Sequence, residues 1–168
     1  MTFYKIIKND GVARSSPMSG TILHLEQDHI LLDMAARNKE GALQELAAVL
    51  QRKCPQVSLE AICDVLRDRE LIGSTGVGNG VAIPHGRVAG LTRILFCFGR
   101  SLDGISFDAI DNQPVHFFLL ILSPLNVAEE YLQTLARASR LLKQPEKRRL
   151  LRLAATRQEI IDIFEQTG

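Results

Sequence analysis

The chain has 168 residues, 46% of them hydrophobic, which suits one globular domain with a real core. Charged residues make up 23% and leave a formal net charge of +1, so no global bias points to nucleic acid or to an anionic membrane. The most apolar run, VHFFLLIL, is too short for a membrane span, and the opening MTFYKIIKNDG lacks the apolar core of a signal peptide. Cys54, Cys63 and Cys97 are widely spaced with no CxxC pair, which argues against a zinc or redox motif; they read as small core residues. A soluble cytoplasmic protein without membrane insertion is the expectation.

Residues 1–17 have no clear period and end in RSSP; they read as an N-terminal extension, with the domain spanning residues 18–168. From Asn38, a plausible N-cap, Leu43, Leu46, Ala47 and Leu50 mark one helical face, and Pro55 ends it. Ser58 starts a second helix carrying Leu59, Ile62, Cys63 and Leu66, closed near Gly73. GVAI is a short strand stopped by Pro84. RILFCFGR and VHFFLLIL read as strands buried on both faces. DGISFDAIDNQP, between them, suits a short edge strand plus loops. Asn126 with Glu129 forms a capping-box pattern ahead of a face made of Leu132, Leu135, Ser139 and Leu142. Pro145 fits the first position of another helix, and Thr156 with Glu159 is a second capping box before Ile160, Ile163 and Phe164. Helices, then strands, then helices predict a single α/β domain: a central mixed sheet flanked by helices.

The segment GSTGVGNGVAIPHG, Gly73 to Gly86, concentrates the chemistry. Its glycines read GxGxG after a helix and before a strand, the reverse of a dinucleotide fingerprint, and neither a Walker lysine nor a nucleophile serine is present. Gly76, Gly78 and Gly80 can bring backbone close to a ligand. Their N–H groups, with Asn79 between them and the hydroxyls of Ser74 and Thr75 nearby, can face an anion. Pro84 restrains the chain just before His85, and Gly86 leaves the far side open. A neutral imidazole carries a lone pair that can attack phosphorus, and phosphoryl transfer asks the protein mainly for positioning and donors. No metal or cofactor is required by this chemistry, and no metal-ligand spacing is present. A turn that merely ends near a structural histidine is the competing reading.

STGVGNGVAIPHG resembles the active-site segment of the fructose/mannitol-type enzyme IIA family of the bacterial phosphotransferase system. RDRELIGSTG and ISFDAIDNQPVHFFLLILSP are similar to the flanking segments of that family, and GNGVAIPHG with FDAIDNQPV resembles its nitrogen-regulatory branch. The similarity covers roughly residues 19–166. It implies that His85 accepts phosphate from the phosphohistidine of an HPr-like carrier and that Arg69, followed by Glu70, stabilises phosphate charge. It also implies regulatory partners such as potassium transporters or sensor kinases. Many relatives carry a second histidine at the start of the helix after the last strand; Tyr131 stands there in this chain. Its hydroxyl can donate a hydrogen bond but cannot copy an imidazole, which leaves onward transfer open. A sugar-specific enzyme IIA feeding a separate permease, and an interaction module that does not pass phosphate on, are the alternatives.

The other candidates have plainer readings. His24 and His29 lie among polar residues and are expected to be exposed; His116 is expected to be a core or edge histidine with a satisfied hydrogen bond. Asp108 and Asp111 can flank the site or form turns. Arg140, Lys143, Lys147, Arg148, Arg149, Arg152 and Arg157 suit a solvated face, or docking to an acidic protein, rather than nucleic acid, since no aromatic platform accompanies them.

Overall fold

Both long apolar runs form strands, and they lie side by side at the centre of the sheet. In the computed structural model, which describes residues 23–166, they are β5 (Leu95–Ile105) and β6 (Val115–Ser123). The extension read at residues 1–17 and the domain start at 18 lie outside the described residues. β1 (Ile30–Leu31) runs parallel to β5 on its outer side, and β5 is antiparallel to β6. On the other side of β6 lie β3 (Val81–Ala82) and β4 (His85–Arg87), both parallel to it and one after the other along its length. β2 (Gly76–Gly78) pairs antiparallel with β3 and completes a six-stranded mixed sheet. Among the described residues β4 pairs with β6 alone, so it is an outer strand.

Alternation along the strands divides the core in two. Leu95, Cys97, Phe118, Leu120 and Leu122 point to one face, where α1 (Lys39–Gln51) and α2 (Leu59–Ile72) pack. Phe96, Phe98, Phe117, Leu119 and Ile121 point to the other. That face carries α3 (Ala128–Lys143), α4 (Pro145–Leu153) and α5 (Arg157–Glu165). The expected central mixed sheet flanked by helices is what forms, with helices on both faces. No helix among the described residues is long and apolar enough to cross a membrane.

Local signals held where the partner is local. Asn38 accepts from the Gly41 N–H, Ser58 from the Ala61 N–H and Thr156 from the Glu159 N–H, and Pro145 opens α4. Three expectations fail. α3 is preceded by Val127 and has no side-chain cap, so Asn126 is not its N-cap. Its inner face is Tyr131, Thr134, Ala138, Leu141 and Leu142, while Leu132 is 64% exposed. Thr134 can turn inward because its hydroxyl donates to the Glu130 carbonyl at 2.8 Å. Lastly, DGISFDAIDNQP contains no separate edge strand: β5 continues to Ile105 through an irregularity between Arg100 and Ile105, and Ser106 then bridges to Asn38.

Candidate functional site

His85 is the first residue of β4, and Arg69 is in the last turn of α2. What brings them together is Gly86. A Cβ there would lie 2.4 Å from Val65 Cγ1, so only glycine lets β4 lie this close to α2. Val65 and Arg69 are one helical turn apart on α2. Alternation turns His85 to the opposite side of the strand from that contact, and Arg69 reaches it around the open edge of β4.

His85 Nδ1 lies 2.7 Å from the Ile83 carbonyl oxygen. A carbonyl only accepts, so the proton sits on Nδ1. Nε2 then carries the lone pair and accepts from Arg69 Nε–H at 3.2 Å. Arg69 Nη1 also donates to the Gly73 carbonyl at 2.8 Å, anchoring the guanidinium at the helix end. Burial pushes the His85 pKa below its ordinary value; the Ile83 carbonyl pulls it partly back, and the Arg69 charge lowers it further. The ring is therefore neutral at pH 7, with Nε2 the available nucleophile.

Tyr131 packs against this ring, centroid to centroid 6.0 Å and tilted 59°. Its pKa is raised to about 12 by burial, although Arg69 and Arg87 draw it down. The phenol keeps its proton and can donate.

Glu70 follows Arg69 but points elsewhere, since successive helix residues are about 100° apart. Its nearly buried carboxylate accepts from the Thr75 N–H at 3.0 Å and from the Thr75 hydroxyl, and it pairs with Lys39 at 2.8 Å. Glu70 thus ties α2 to α1 and to the glycine segment, fixing the rotation of the turn that carries Arg69.

The glycine segment is a pinned hairpin. Gly78, Asn79 and Gly80 have φ of 93°, 57° and 75°, a left-handed run that glycine tolerates best. Two amides of the segment expected to face an anion are occupied internally. Gly76 N–H donates to Ser74 Oγ at 3.0 Å, and Asn79 N–H donates to Asp111 Oδ2 at 3.1 Å. The Ser74 hydroxyl donates to the Phe107 carbonyl at 3.2 Å. The hairpin tip shares a cavity with Ser139 and Lys143 of α3, roughly 12 to 18 Å along the helix axis from Tyr131. Of the residues singled out in the sequence, His85, Arg69 and Tyr131 therefore meet, while Ser74, Thr75, Gly76, Gly78, Asn79 and Gly80 build the scaffold beside them.

Asp111 accepts from Asn79 and Gln113 as a turn former, and Asp108 is an exposed neighbour of Lys39 at 4.0 Å. His116 Nδ1 finds the Ser101 carbonyl at 3.0 Å, as expected, and His24 is exposed. His29 is not exposed: it is buried, and among the described residues both ring nitrogens lack a hydrogen-bond partner. Its burial follows from the 3-10 turn Gln27–His29, which points Asp28 outward and His29 inward. Two residues near the site were not singled out in the sequence. Lys39 had no local signal; Arg87 had one, standing two residues after His85 on the same strand.

An arginine-tuned, neutral imidazole on an outer strand of an α/β/α sandwich is the frame into which the comparisons fall. The chain belongs to the family described as phosphoenolpyruvate-dependent sugar phosphotransferase system, EIIA 2, whose sequence profile matches residues 23–167. It is 38% identical over 135 residues to the nitrogen regulatory protein of Bradyrhizobium diazoefficiens, covering 80% of this chain and 88% of that one. It is 33% identical over 142 residues to the fructose-specific EIIABC component of Bacillus subtilis; the match takes in 84% of this chain but only 22% of that larger protein. The crystal structure of nitrogen regulatory protein IIA-Ntr from Neisseria meningitidis superimposes with a TM-score of 0.80 at 34% identity, over 88% of this chain and 99% of that one.

Proposed function

We propose that this phosphotransferase-system protein is a regulatory phosphoryl carrier in which His85 Nε2 accepts phosphate from an HPr-like phosphocarrier. The observation that supports it best is the pair of ring contacts: Nδ1–H held by the Ile83 carbonyl and Nε2 facing the Arg69 guanidinium. In the transfer, the N–P bond of the donor phosphohistidine breaks as a new N–P bond forms at His85 Nε2. The proton stays on Nδ1, donated to the Ile83 carbonyl, throughout. Arg69 offsets charge on the phosphoryl oxygens.

Protein docking suits the surroundings, because Leu71 and Ile72, just after Arg69, are 85% and 83% exposed. A phosphoryl group adds about −1.5 to −2 charges at this face, which a partner can sense. The similarity to nitrogen regulatory proteins favours regulatory targets, such as potassium transporters or sensor kinases, over a sugar permease. Three free, buried cysteines suit the reducing cytoplasm as the place of action.

The test is phosphate traffic. Incubation with phosphorylated HPr-like carrier is expected to label the protein on an acid-labile group, reversibly, and His85→Ala is expected to abolish labelling. Labelling that never returns to donor would favour a one-way switch. Efficient transfer onward to a sugar permease component would favour the sugar-specific reading. Full labelling of His85→Ala would overturn the assignment of the acceptor.

A further inference from the structure

Resting on that reading, we infer that Arg87 and the Tyr131 hydroxyl complete, with Arg69, a three-point holder for the phosphoryl group on His85 Nε2, and that Arg87 engages only when the phosphoryl group is present.

Arg87 stands two residues beyond His85 in β4, so strand alternation sends both side chains to one face. It lies opposite Ser123 of β6, where the chain turns through Pro124 towards α3 and Tyr131. It is exposed and, among the described residues, makes no hydrogen bond or ion pair. That sets it apart from the arginines used structurally. Arg100 and Arg148 bond backbone carbonyls, while Arg67 and Arg149 pair with carboxylates.

Tyr131 packs against the imidazole with its proton kept, and the charges of Arg69 and Arg87 both act on its phenol. Both nitrogens of the resting His85 ring are already engaged, Nδ1 by the Ile83 carbonyl and Nε2 by Arg69, so Arg87 has no bond to the ring and is left for a group carried beyond it.

Phosphorylation changes the accounts of these groups. Once Nε2 bonds to phosphorus, Arg69 Nε–H loses its acceptor and needs a new one. A phosphoryl oxygen supplies it. The remaining two oxygens are left for the Tyr131 hydroxyl and for Arg87, whose fork matches phosphate geometry. The donor's N–P bond breaks and the His85 N–P bond forms as described above; Arg87 and Tyr131 contribute hydrogen bonds and charge, with no proton transferred to or from them.

The experiment measures the phosphotransfer equilibrium against a phosphorylated HPr-like carrier, and in parallel the NMR titration of the unphosphorylated His85 ring. Arg87→Ala is expected to move the equilibrium roughly fivefold towards the donor, a size suited to one exposed charge-assisted contact. Arg87→Lys is expected to restore part of it, and Tyr131→Phe to weaken acceptance in the same direction. The His85 titration midpoint is expected to stay put in Arg87→Ala but to rise in Arg69→Ala, where a charge that opposes protonation has gone. An unchanged equilibrium in Arg87→Ala overturns the inference while leaving His85 as acceptor. A shifted His85 midpoint in Arg87→Ala also overturns it, since Arg87 would then act on the resting ring. Full labelling of His85→Ala removes the acceptor reading itself.

Discussion

His85 uses both ring nitrogens, Nδ1 on the Ile83 carbonyl and Nε2 on Arg69, whereas His29, only 3% exposed, has a hydrogen-bond partner for neither among the described residues, its nearest acid being Asp28 at 3.9 Å. Burial is the main force lowering the His29 pKa; Glu26 and Asp28 oppose it, and Lys53 and Arg93 add to it. A lowered folded-state value means that the unfolded chain binds more protons in the interval below its own pKa, near 6.5. Stability contributed by the neutral ring is therefore full above that value and is lost as pH falls towards the folded-state value. His85 contributes with the same sign. Replacing His29 by Leu removes an unsatisfied buried polar group, so stability at pH 7.5 is expected to hold or rise. The stability difference between pH 7.5 and 5.5, read from denaturant curves, is expected to narrow but not close. A difference as wide as in the wild type would refute this account. The polar neighbours Gln27 and Asp28 made His29 read as exposed; only the 3-10 turn reverses that, and turn geometry is not written in single-residue polarity.

At the scale of elements, what was legible was what is local or strictly periodic. Asn38, Ser58, Pro145 and Thr156 mark helix starts because each is decided by amides a few residues away. β5 and β6 could be read from continuous apolar runs because both sheet faces are covered. On α3 the inward Leu135 and Leu142 were legible, but Leu132 was placed inside because it outranks Thr134 on hydrophobicity alone, while Tyr131 packs inward against His85, from a strand more than forty residues earlier in sequence. The site divides in the same way. His85 and Arg69 were legible from the motif, but the internal use of the Gly76 and Asn79 amides depends on Ser74 and on Asp111, the latter outside the hairpin. The β4–α2 contact makes its own prediction. Gly86→Ala is expected to destabilise by about 1–3 kcal/mol through overpacking against Val65. It should also part Arg69 from His85 and raise the His85 titration midpoint. Adding Val65→Ala should recover part of both changes. A Gly86→Ala protein as stable as the wild type, with an unmoved midpoint, would show that the packing does not set the site.

Across the whole molecule, the basic residues of the C-terminal helices serve mainly to close the structure. Arg148 donates to the Leu142 and Lys143 carbonyls at the end of α3, and Lys147 donates to the Ile163 and Gln166 carbonyls at the end of α5. Arg157 donates to the Ile30 carbonyl, and Arg152 lies over the Phe117 ring at 5.6 Å. Arg140, Lys143, Arg149, Arg152 and Arg157 are exposed, as the solvated-face reading expects, while Lys147, Arg148, Arg152 and Arg157 also serve as helix caps or cross-layer ties. Arg100 carries this furthest. From the middle of β5 it donates to the carbonyls of Leu32, Leu151, Arg152 and Ala154, holding α4 to the sheet. Arg100→Met is expected to cost about 2–4 kcal/mol in denaturant unfolding, because those carbonyls lose a charged donor where water is largely excluded. A loss below about 1 kcal/mol would mean that water replaces the guanidinium without difficulty.

The place of β4 in the sheet has one more consequence. Bonded to β6 on one side and, among the described residues, unpaired on the other, it holds the imidazole on a ledge rather than in a vault. A visiting protein meets the ring in its working posture, already deprotonated at Nε2. The pace of exchange is then governed by how often two surfaces collide in register, and salt or viscosity should govern it more than any rearrangement within this chain.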